Sequence, residues 1–218
     1  MKLLNVSCAR SIWLFPVEDL NPNGLDLVPI VAALRTRFRF SKSPGRPDEV
    51  SLSDGIRFGG GSFALEDGRQ VEVSALKMFQ DGLVAETRHS TEATDYFIAT
   101  LLDFVCKNHG LRFEGEMPQT KRYTSELIIS SEIELDRLSE KLSRFAAFLS
   151  TLEGANVNYR ASAVSFTTDP ENPNSEQHFR FERRTGSRFA EKRYFSQAAL
   201  RTDDHLAAIE EWERVVSE

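Results

Sequence analysis

Two segments of this chain lie 108 residues apart and align without a gap, residues 94–104 with residues 202–212. Thr, Asp and Ala are identical at three positions, and four further pairs match in kind. Each segment has apolar residues at helical spacing and is expected to form the start of a helix. Each of these helices is expected to be the last element of its half of the chain. Two similarly built units are therefore predicted. Outside these helices the halves do not match residue by residue, so an internal repeat is a hypothesis.

The first half is expected to run strand, helix, three strands, helix. Asp-Gly pairs at 67–68 and 81–82 predict hairpin turns between the three strands. The apolar phase changes at 75–76, which a β-bulge would explain. The predicted bounds are a strand at 3–15, a helix at 26–38, strands at 56–66, 69–79 and 83–89, and a helix at 92–108.

The second half repeats this order. The predicted bounds are a strand at 122–131, a helix at 134–153, strands at 157–167, 177–184 and 188–196, and a helix from 203. Thr185-Gly186 is expected to supply a tight turn between the last two strands.

These elements predict an α+β fold, in which one or more curved antiparallel sheets pack against helices. Helix-grip and TATA-binding-protein folds have a similar element order, which is an analogy of topology, and no family is identified from the sequence. We expect a first α+β unit at 1–118 and a second at 119–218, packed together as one compact domain.

The composition is that of a globular protein, with 40% hydrophobic and 28% charged residues. No run of eighteen apolar residues occurs, so no transmembrane helix and no membrane partner are expected. The first ten residues do not have the pattern of a signal peptide. Cys8 and Cys106 make neither a disulfide framework nor a zinc cluster, so reduced thiols and a cytoplasmic location are predicted.

Catalytic and metal-binding motifs are missing from the sequence. The four histidines occur in no metal-ligand spacing, and no nucleotide-binding loop, paired-carboxylate motif or nucleophile elbow is present. We therefore predict no cofactor, no metal site and no catalytic residue. If a ligand site exists between sheet and helices, His178 is the residue to test, because it adjoins alternating phenylalanines.

Positive charge is concentrated in two segments of a chain whose net charge is −6. Such asymmetry steers anionic partners towards one face, although nearby acidic residues can cancel it. The predicted partner- or anion-binding residues are Arg35, Arg37, Arg39, Arg180, Arg183, Arg184, Arg188, Lys192 and Arg193.

Arginine alternates with phenylalanine in both basic segments, most clearly at 179–189. Exposed aromatic and cationic side chains hold single-stranded nucleic acid by stacking and charge. The same alternation describes a strand with phenylalanines in the core and arginines in solvent. The isoelectric point near 5.4 is low for a nucleic-acid binder and favours the second interpretation.

The predicted helix at 134–153 carries an apolar seam with 3-4-3-4-3 spacing, which permits two interpretations. The seam could pair with another helix and make a dimer interface. Phe148 widens the apolar face beyond a strict seam, which favours packing against the sheet. The residues of the seam are Leu135, Leu138, Leu142, Phe145, Leu149 and Leu152.

Three functions follow as hypotheses. The first is a non-catalytic binding or scaffold protein that acts through a protein partner or by self-association. The second is an accessory nucleic-acid binder that uses the Arg/Phe-rich hairpin on a curved sheet. The third is a small-ligand-binding protein or enzyme with a site between sheet and helices.

Overall fold

A computed structural model of the chain describes residues 1–21, 24–114, 117, 120–152, 158–168 and 178–217, without the side chains of residues 136 and 137. The strands are β1 (Lys2–Leu14), β2 (Ile56–Ala64), β3 (Gln70–Phe79), β4 (Gly82–Thr87), β5 (Thr120–Ser130), β6 (Ala163–Thr167), β7 (His178–Arg183) and β8 (Arg193–Ala198). The helices are α1 (Leu27–Arg37), α2 (Thr91–His109), α3 (Glu140–Leu152) and α4 (Thr202–Ser217).

The strands form a curved, unclosed antiparallel sheet, which confirms the predicted α+β class. Their order in the sheet is β2-β3-β4-β1-β5-β8-β7-β6. Along the chain the predicted order of strand, helix, three strands and helix occurs twice. Residues 118 and 119, where the boundary between the halves is predicted, lie outside the described residues. So do residues 153, 157 and 177, at the ends of predicted elements.

The chain divides into two compact units. The N-terminal unit comprises Val6–Ser125 with Leu200–Thr202, and the C-terminal unit comprises Met1–Asn5, Glu126–Ala199 and Asp203–Glu218. The division at 118/119 into two halves stays a prediction.

In the N-terminal unit, β3 pairs with both β2 and β4, and β4 pairs with β1. The pairing of β3 with β4 shifts register between Val73 and Ala75, so the predicted bulge is confirmed. Leu76 and Met78 remain on the buried face after this shift. The bulge therefore allows an irregular apolar pattern to keep one face of the strand in the core.

Phenylalanine dominates the core of the N-terminal unit. Phe38 contacts Phe97 edge-on, with ring centroids 5.1 Å apart, and Phe97 lies 5.1 Å from Phe63. Helix α1 covers this core with Ile30, Val31 and Leu34. Further buried members of the core are Phe15, Phe40, Phe58, Leu76, Ile98, Leu101 and Leu102.

Helix α2 begins at Thr91, after a serine N-cap and one residue before the predicted start at 92. Ser90 Oγ accepts a hydrogen bond from the backbone N–H of Ala93 at 3.2 Å. Gly110 ends the helix in the left-handed conformation, with φ of 66°. The first residues of α2 and α4, Thr91 and Thr202, are 111 residues apart. The alignment at a spacing of 108 residues pairs Thr202 with Thr94. Thr202 is the first residue of α4, whereas Thr94 lies about one helical turn after the start of α2.

In the C-terminal unit, β7 pairs with β6 on one side and with β8 on the other. The predicted strand at 188–196 is wrong at its start, because Phe189–Glu191 forms a 3-10 helix and β8 begins at Arg193. Helix α4 contributes His205 and Ile209 to the core. Other buried residues of this unit are Leu127, Ile129, Ile133, Leu135, Phe181 and Tyr194.

The predicted helix at 134–153 is divided in two. Leu135–Leu138 forms a 3-10 helix, and α3 follows from Glu140. Leu135 is fully buried, but none of the 13 residues of α3 is buried. The prediction that the Leu/Phe seam packs into the core is therefore wrong over the length of α3.

Candidate functional site

The Arg/Phe-rich hairpin is built on β7 and β8, where Arg183 pairs with Tyr194 and Phe181 with Ser196. Phe181 is buried, and its ring stacks on Tyr194 with centroids 4.7 Å apart. Arg180 is exposed on the opposite face of the strand. The alternation therefore places phenylalanine in the core and this arginine in solvent, as the favoured interpretation of the sequence expects.

Among the described residues, Arg180, Lys192 and Arg193 of the hairpin each contact a carboxylate. Lys192, in the left-handed conformation with φ of 50°, forms an ion pair with Glu132, and this hydrogen bond is the main cause that raises the pKa of Lys192. Exposed pairs of this kind are screened by salt and contribute little stability, but they do neutralise positive charge. The other two pairs are Arg180 with Glu182 at 2.5 Å and Arg193 with Glu191 at 3.6 Å.

Arg183 belongs to a stacked cluster. Its Nε donates a hydrogen bond to the carbonyl oxygen of Ala161 at 3.3 Å. Its guanidinium lies 4.7 Å from the ring centroid of Phe189 and 5.7 Å from that of Tyr194. Arg160 lies 5.2 Å from the same Phe189 ring. Such cation–π contacts hold the side chain flat against the protein. Arg183 therefore stabilises the end of the hairpin.

Arg184 and Arg188 lie near the tip of the hairpin and are exposed. The predicted turn occurs there, with Gly186 at φ of 80°. The backbone N–H of Arg188 donates to Glu191 Oε1 at 3.3 Å. These two arginines present positive charge to solvent.

The other predicted basic residues lie in the N-terminal unit, at the C-terminal end of α1. Arg37 lies 5.9 Å from the ring centroids of Phe38 and Phe104. Arg39 has φ of 54°, and with Arg37 it lines a small cavity of about 180 Å³. Arg35 lines a different cavity, of about 400 Å³. Because a helix C-terminus carries partial negative charge, cations there stabilise the helix and an anion is disfavoured.

His178 and His205 differ in environment. His178 is exposed and contacts Gln197 Oε1 through Nε2 at 3.2 Å. His205 is buried, with Nε2 2.8 Å from Ser196 Oγ, and desolvation lowers its pKa to about 4. Ser196 Oγ already donates its proton to the carbonyl oxygen of Arg180 at 2.9 Å. The Ser196–His205 pair is therefore a structural contact, in which the imidazole donates to the hydroxyl.

A half-buried polar network in the N-terminal unit was missed by the sequence reasoning. Asp95 accepts a hydrogen bond from Trp13 Nε1 at 2.8 Å through Oδ1 and another from the Tyr123 hydroxyl at 2.9 Å through Oδ2. Burial, and then the hydrogen bond to Asp95, raise the pKa of Tyr123 to about 12. The network fixes α2 to β1 and β5. The shared Asp of the two aligned segments was the only signal for it in the sequence.

Two threonines beside this network bond to each other across 111 residues of sequence. The backbone N–H of Thr91 donates to Thr202 Oγ1 at 3.0 Å, and that of Thr202 donates to Thr91 Oγ1 at 2.8 Å. Each hydroxyl therefore satisfies an N–H at the other helix start. Arg201 Nε donates to Glu92 Oε1 at 3.2 Å at the same place. Helix capping accounts for this arrangement, which therefore indicates no catalytic or binding role.

The largest exposed apolar surface of α3 is formed by four side chains. Leu142 is 52% exposed, Phe145 58%, Phe148 55% and Leu152 65%. At about 100° per residue these side chains share an arc of roughly 120° on the helix. We call this arc the α3 apolar face. Contiguous apolar patches of this kind mark interaction sites on proteins.

The neighbouring side of α3 lies against the segment 158–160. The backbone N–H of Tyr159 donates to Ser150 Oγ at 2.9 Å. A groove of about 540 Å³ runs there between Tyr159, Arg160 and the helix residues Ser143 and Ala147. The contact with Tyr159 is therefore made at Ser150, outside the α3 apolar face, whose four side chains lie in solvent.

Within the described residues, no group of three or more His, Cys, Asp or Glu side chains is arranged to hold a metal ion. No helix in the described ranges is long and apolar enough to cross a membrane. Neither Cys8 nor Cys106 is in a disulfide within the described residues. The chain matches no protein-family model and no curated protein sequence.

Proposed function

We propose that this chain is a non-catalytic binding protein that acts through contact with another protein molecule, a partner or a second copy. The observation that carries this proposal is the α3 apolar face, whose four large side chains are each more than half exposed. Taking roughly 200 Å² for each side chain, they present about 450 Å² of apolar surface. That is the size at which patches on soluble proteins are commonly functional.

The distribution of charge favours a protein partner over nucleic acid. A nucleic-acid interface needs several free cations on one surface, because binding is driven by the release of counterions from phosphates. Lys192, Arg180 and Arg193 contact acids, and Arg183 stacks on aromatic rings. Arg184 and Arg188 are exposed near the tip of the hairpin, and we propose them as the rim of a protein interface. The two cysteines, which form no disulfide in the described part of the chain, support a reducing, cytoplasmic setting for this function.

The proposal is tested by native mass spectrometry of the chain after gentle purification from its own host. We expect the wild-type chain to retain a second protein molecule, identical or different, and Phe145→Glu to lose it. Thr151→Glu adds the same charge on the polar side of α3 and is expected to retain it. Equal retention by all three, or a bare monomer throughout, would contradict the proposal.

A second arm of the experiment addresses the hairpin. Arg184→Glu combined with Arg188→Glu is expected to slow association and to reduce its salt dependence, because rim charges act mainly on the encounter rate. Binding of single-stranded oligonucleotides by the wild-type chain, with affinity falling steeply as salt rises, would instead support the nucleic-acid hypothesis.

A further inference from the structure

We infer that the partner covering the α3 apolar face is a second copy of this chain, bound through an antiparallel α3–α3 pair. This inference rests on the proposed function and narrows it to one occupant. Three properties of α3 support it: the spacing of its apolar side chains, the position of its charges and the area that it exposes.

The apolar spacing of α3 reads the same in both directions. Three members of the α3 apolar face, Leu142, Phe145 and Leu152, lie on the same arc as the half-buried Leu149. In sequence order these four residues are separated by steps of three, four and three residues. In an antiparallel pair with its centre at position 147, Leu142 of one copy meets Leu152 of the other, and Phe145 meets Leu149. An isologous interface needs a patch that is complementary to itself, and this spacing meets the requirement without a register shift.

The charges of α3 select the antiparallel orientation. Glu140, Lys141 and Arg144 all lie in its N-terminal half, whereas the residues from 145 to 152 carry no charge. A parallel pair would bring Lys141 and Arg144 beside the same residues of the second copy. The antiparallel pair instead places each charged half beside an uncharged half and also opposes the two helix dipoles.

The exposed area fits a weak dimer. Two copies of the α3 apolar face, at about 450 Å² each, bury about 900 Å² between them, slightly less than a small specific interface. The flanking side chains of α3 add the remainder. Because small interfaces of this type bind in the micromolar range, we expect dimers at about 100 µM and monomers at about 1 µM.

Analytical ultracentrifugation of the full chain tests the inference directly. Wild type is expected to dimerise reversibly, Phe145→Glu to weaken dimerisation at least about 30-fold, and Thr151→Glu to change it little. Circular dichroism of each variant verifies that α3 and the fold are retained. Dimerisation that is equally strong in Phe145→Glu would overturn the inference, as would a wild-type chain that stays monomeric at about 100 µM.

Cysteine cross-linking tests the orientation. Positions 142 and 152 are about 15 Å apart along one helix, too far for a disulfide within one chain. Leu142→Cys combined with Leu152→Cys is expected to give a disulfide-linked dimer on mild oxidation. The yield of this dimer should be well above that of either single variant, and above that of wild type, which has only its native Cys8 and Cys106. Equally strong cross-linking by Leu142→Cys alone would indicate a parallel pair and overturn the antiparallel assignment.

The failure of this inference is distinguishable from failure of the proposed function. In one outcome, wild type is monomeric in the ultracentrifuge but retains a different host protein, and Phe145→Glu loses that protein. The α3 apolar face then binds another protein and not a second copy of the chain, so this inference is wrong and the proposed function stands. If Phe145→Glu changes neither self-association nor retention of a host protein, both are wrong.

Discussion

Helices α1 and α3 occupy the same place in the repeated element order, each following the first strand of its half. Ile30 and Val31 of α1 are 4% and 5% exposed, and Leu34 is fully buried. In α3, by contrast, the least exposed member of the apolar face, Leu142, is 52% exposed. One helix is therefore part of a core, and the other presents its large apolar side chains to solvent.

The difference lies in which side of the helix is held. α1 packs its large aliphatic residues into a phenylalanine-rich core. α3 contacts Tyr159 through Ser150, outside its apolar face. A helix with a strong apolar stripe normally buries that stripe, since exposure of each large side chain costs about 1.5–3 kcal/mol relative to burial. An amphipathic helix that is attached by its other side is therefore available to a partner.

The largest effect is expected from matched leucine truncations in the two helices. Leu34→Ala should lower the free energy of unfolding by about 2–5 kcal/mol, because it leaves a cavity in a closed core. Leu142→Ala, in α3, should lower it by less than about 0.5 kcal/mol at concentrations where the chain is monomeric. Urea unfolding of both variants measures the difference. Equal losses would show that the two helices do not differ in burial.

The pH dependence of stability tests whether His205 of α4 is buried in the core of the C-terminal unit. The pKa of His205 is lowered from 6.5 to about 4 by desolvation, so the unfolded chain binds a proton in this range before the folded chain does. His205 should therefore cost no stability above about pH 6.5 and about 3 kcal/mol as the pH falls to 4. His205→Gln should remove this loss, while His178→Gln, at an exposed position, should leave it. A pH profile unchanged in His205→Gln would contradict the buried contact.

The polar anchoring of α2 gives an intermediate effect. Asp95→Ala leaves the Trp13 Nε1–H and the Tyr123 hydroxyl without their acceptor, which should cost about 1–3 kcal/mol. Asp103→Ala is the control on the same helix, since Asp103 pairs with Lys107 in solvent. In Asp95→Ala the pKa of Tyr123 should also fall below its value of about 12, as measured by absorbance at alkaline pH. An unshifted tyrosine titration would contradict the hydrogen bond.

The smallest expected change in stability comes from replacing one arginine in each of the two basic segments. Arg37→Ala should lower stability by about 0.5 kcal/mol, because Arg37 lies at the negative end of the α1 dipole and beside two phenylalanine rings. Arg184→Ala, at the hairpin tip, should have no measurable effect on thermal unfolding. If Arg184→Ala is the more destabilising of the two, the tip arginine has a structural role.

Much of the fold could be predicted from local signals. Asp-Gly turns and alternating apolar residues gave β2, β3 and β4 to within two residues at each end, and the change of phase near Ala75 gave the bulge. The predicted start of α2 at 92 is one residue from its observed start at Thr91. The start of β8 was missed, because a 3-10 helix of three residues has no periodicity that distinguishes it from a strand.

The candidate sites were less predictable. The alternation in β7 did indicate that Phe181 is buried and Arg180 exposed. It did not indicate that Lys192 contacts Glu132, 60 residues away, or that Asp95 joins Trp13 and Tyr123. Such contacts depend on which strands become neighbours, and the spacing of residues within one strand carries no information about that.

By itself the sequence determined the apolar stripe of α3, its palindromic 3-4-3 spacing and the crowding of its charges into one half, because periodicity is a property of neighbouring residues. Only the tertiary structure decided that the stripe faces solvent, since burial depends on what lies across from a helix. The stripe of α1 meets Phe97 and its neighbours, and α3 meets Tyr159 with its other side. An apolar helix face thus became part of a core in one unit and a candidate interface in the other.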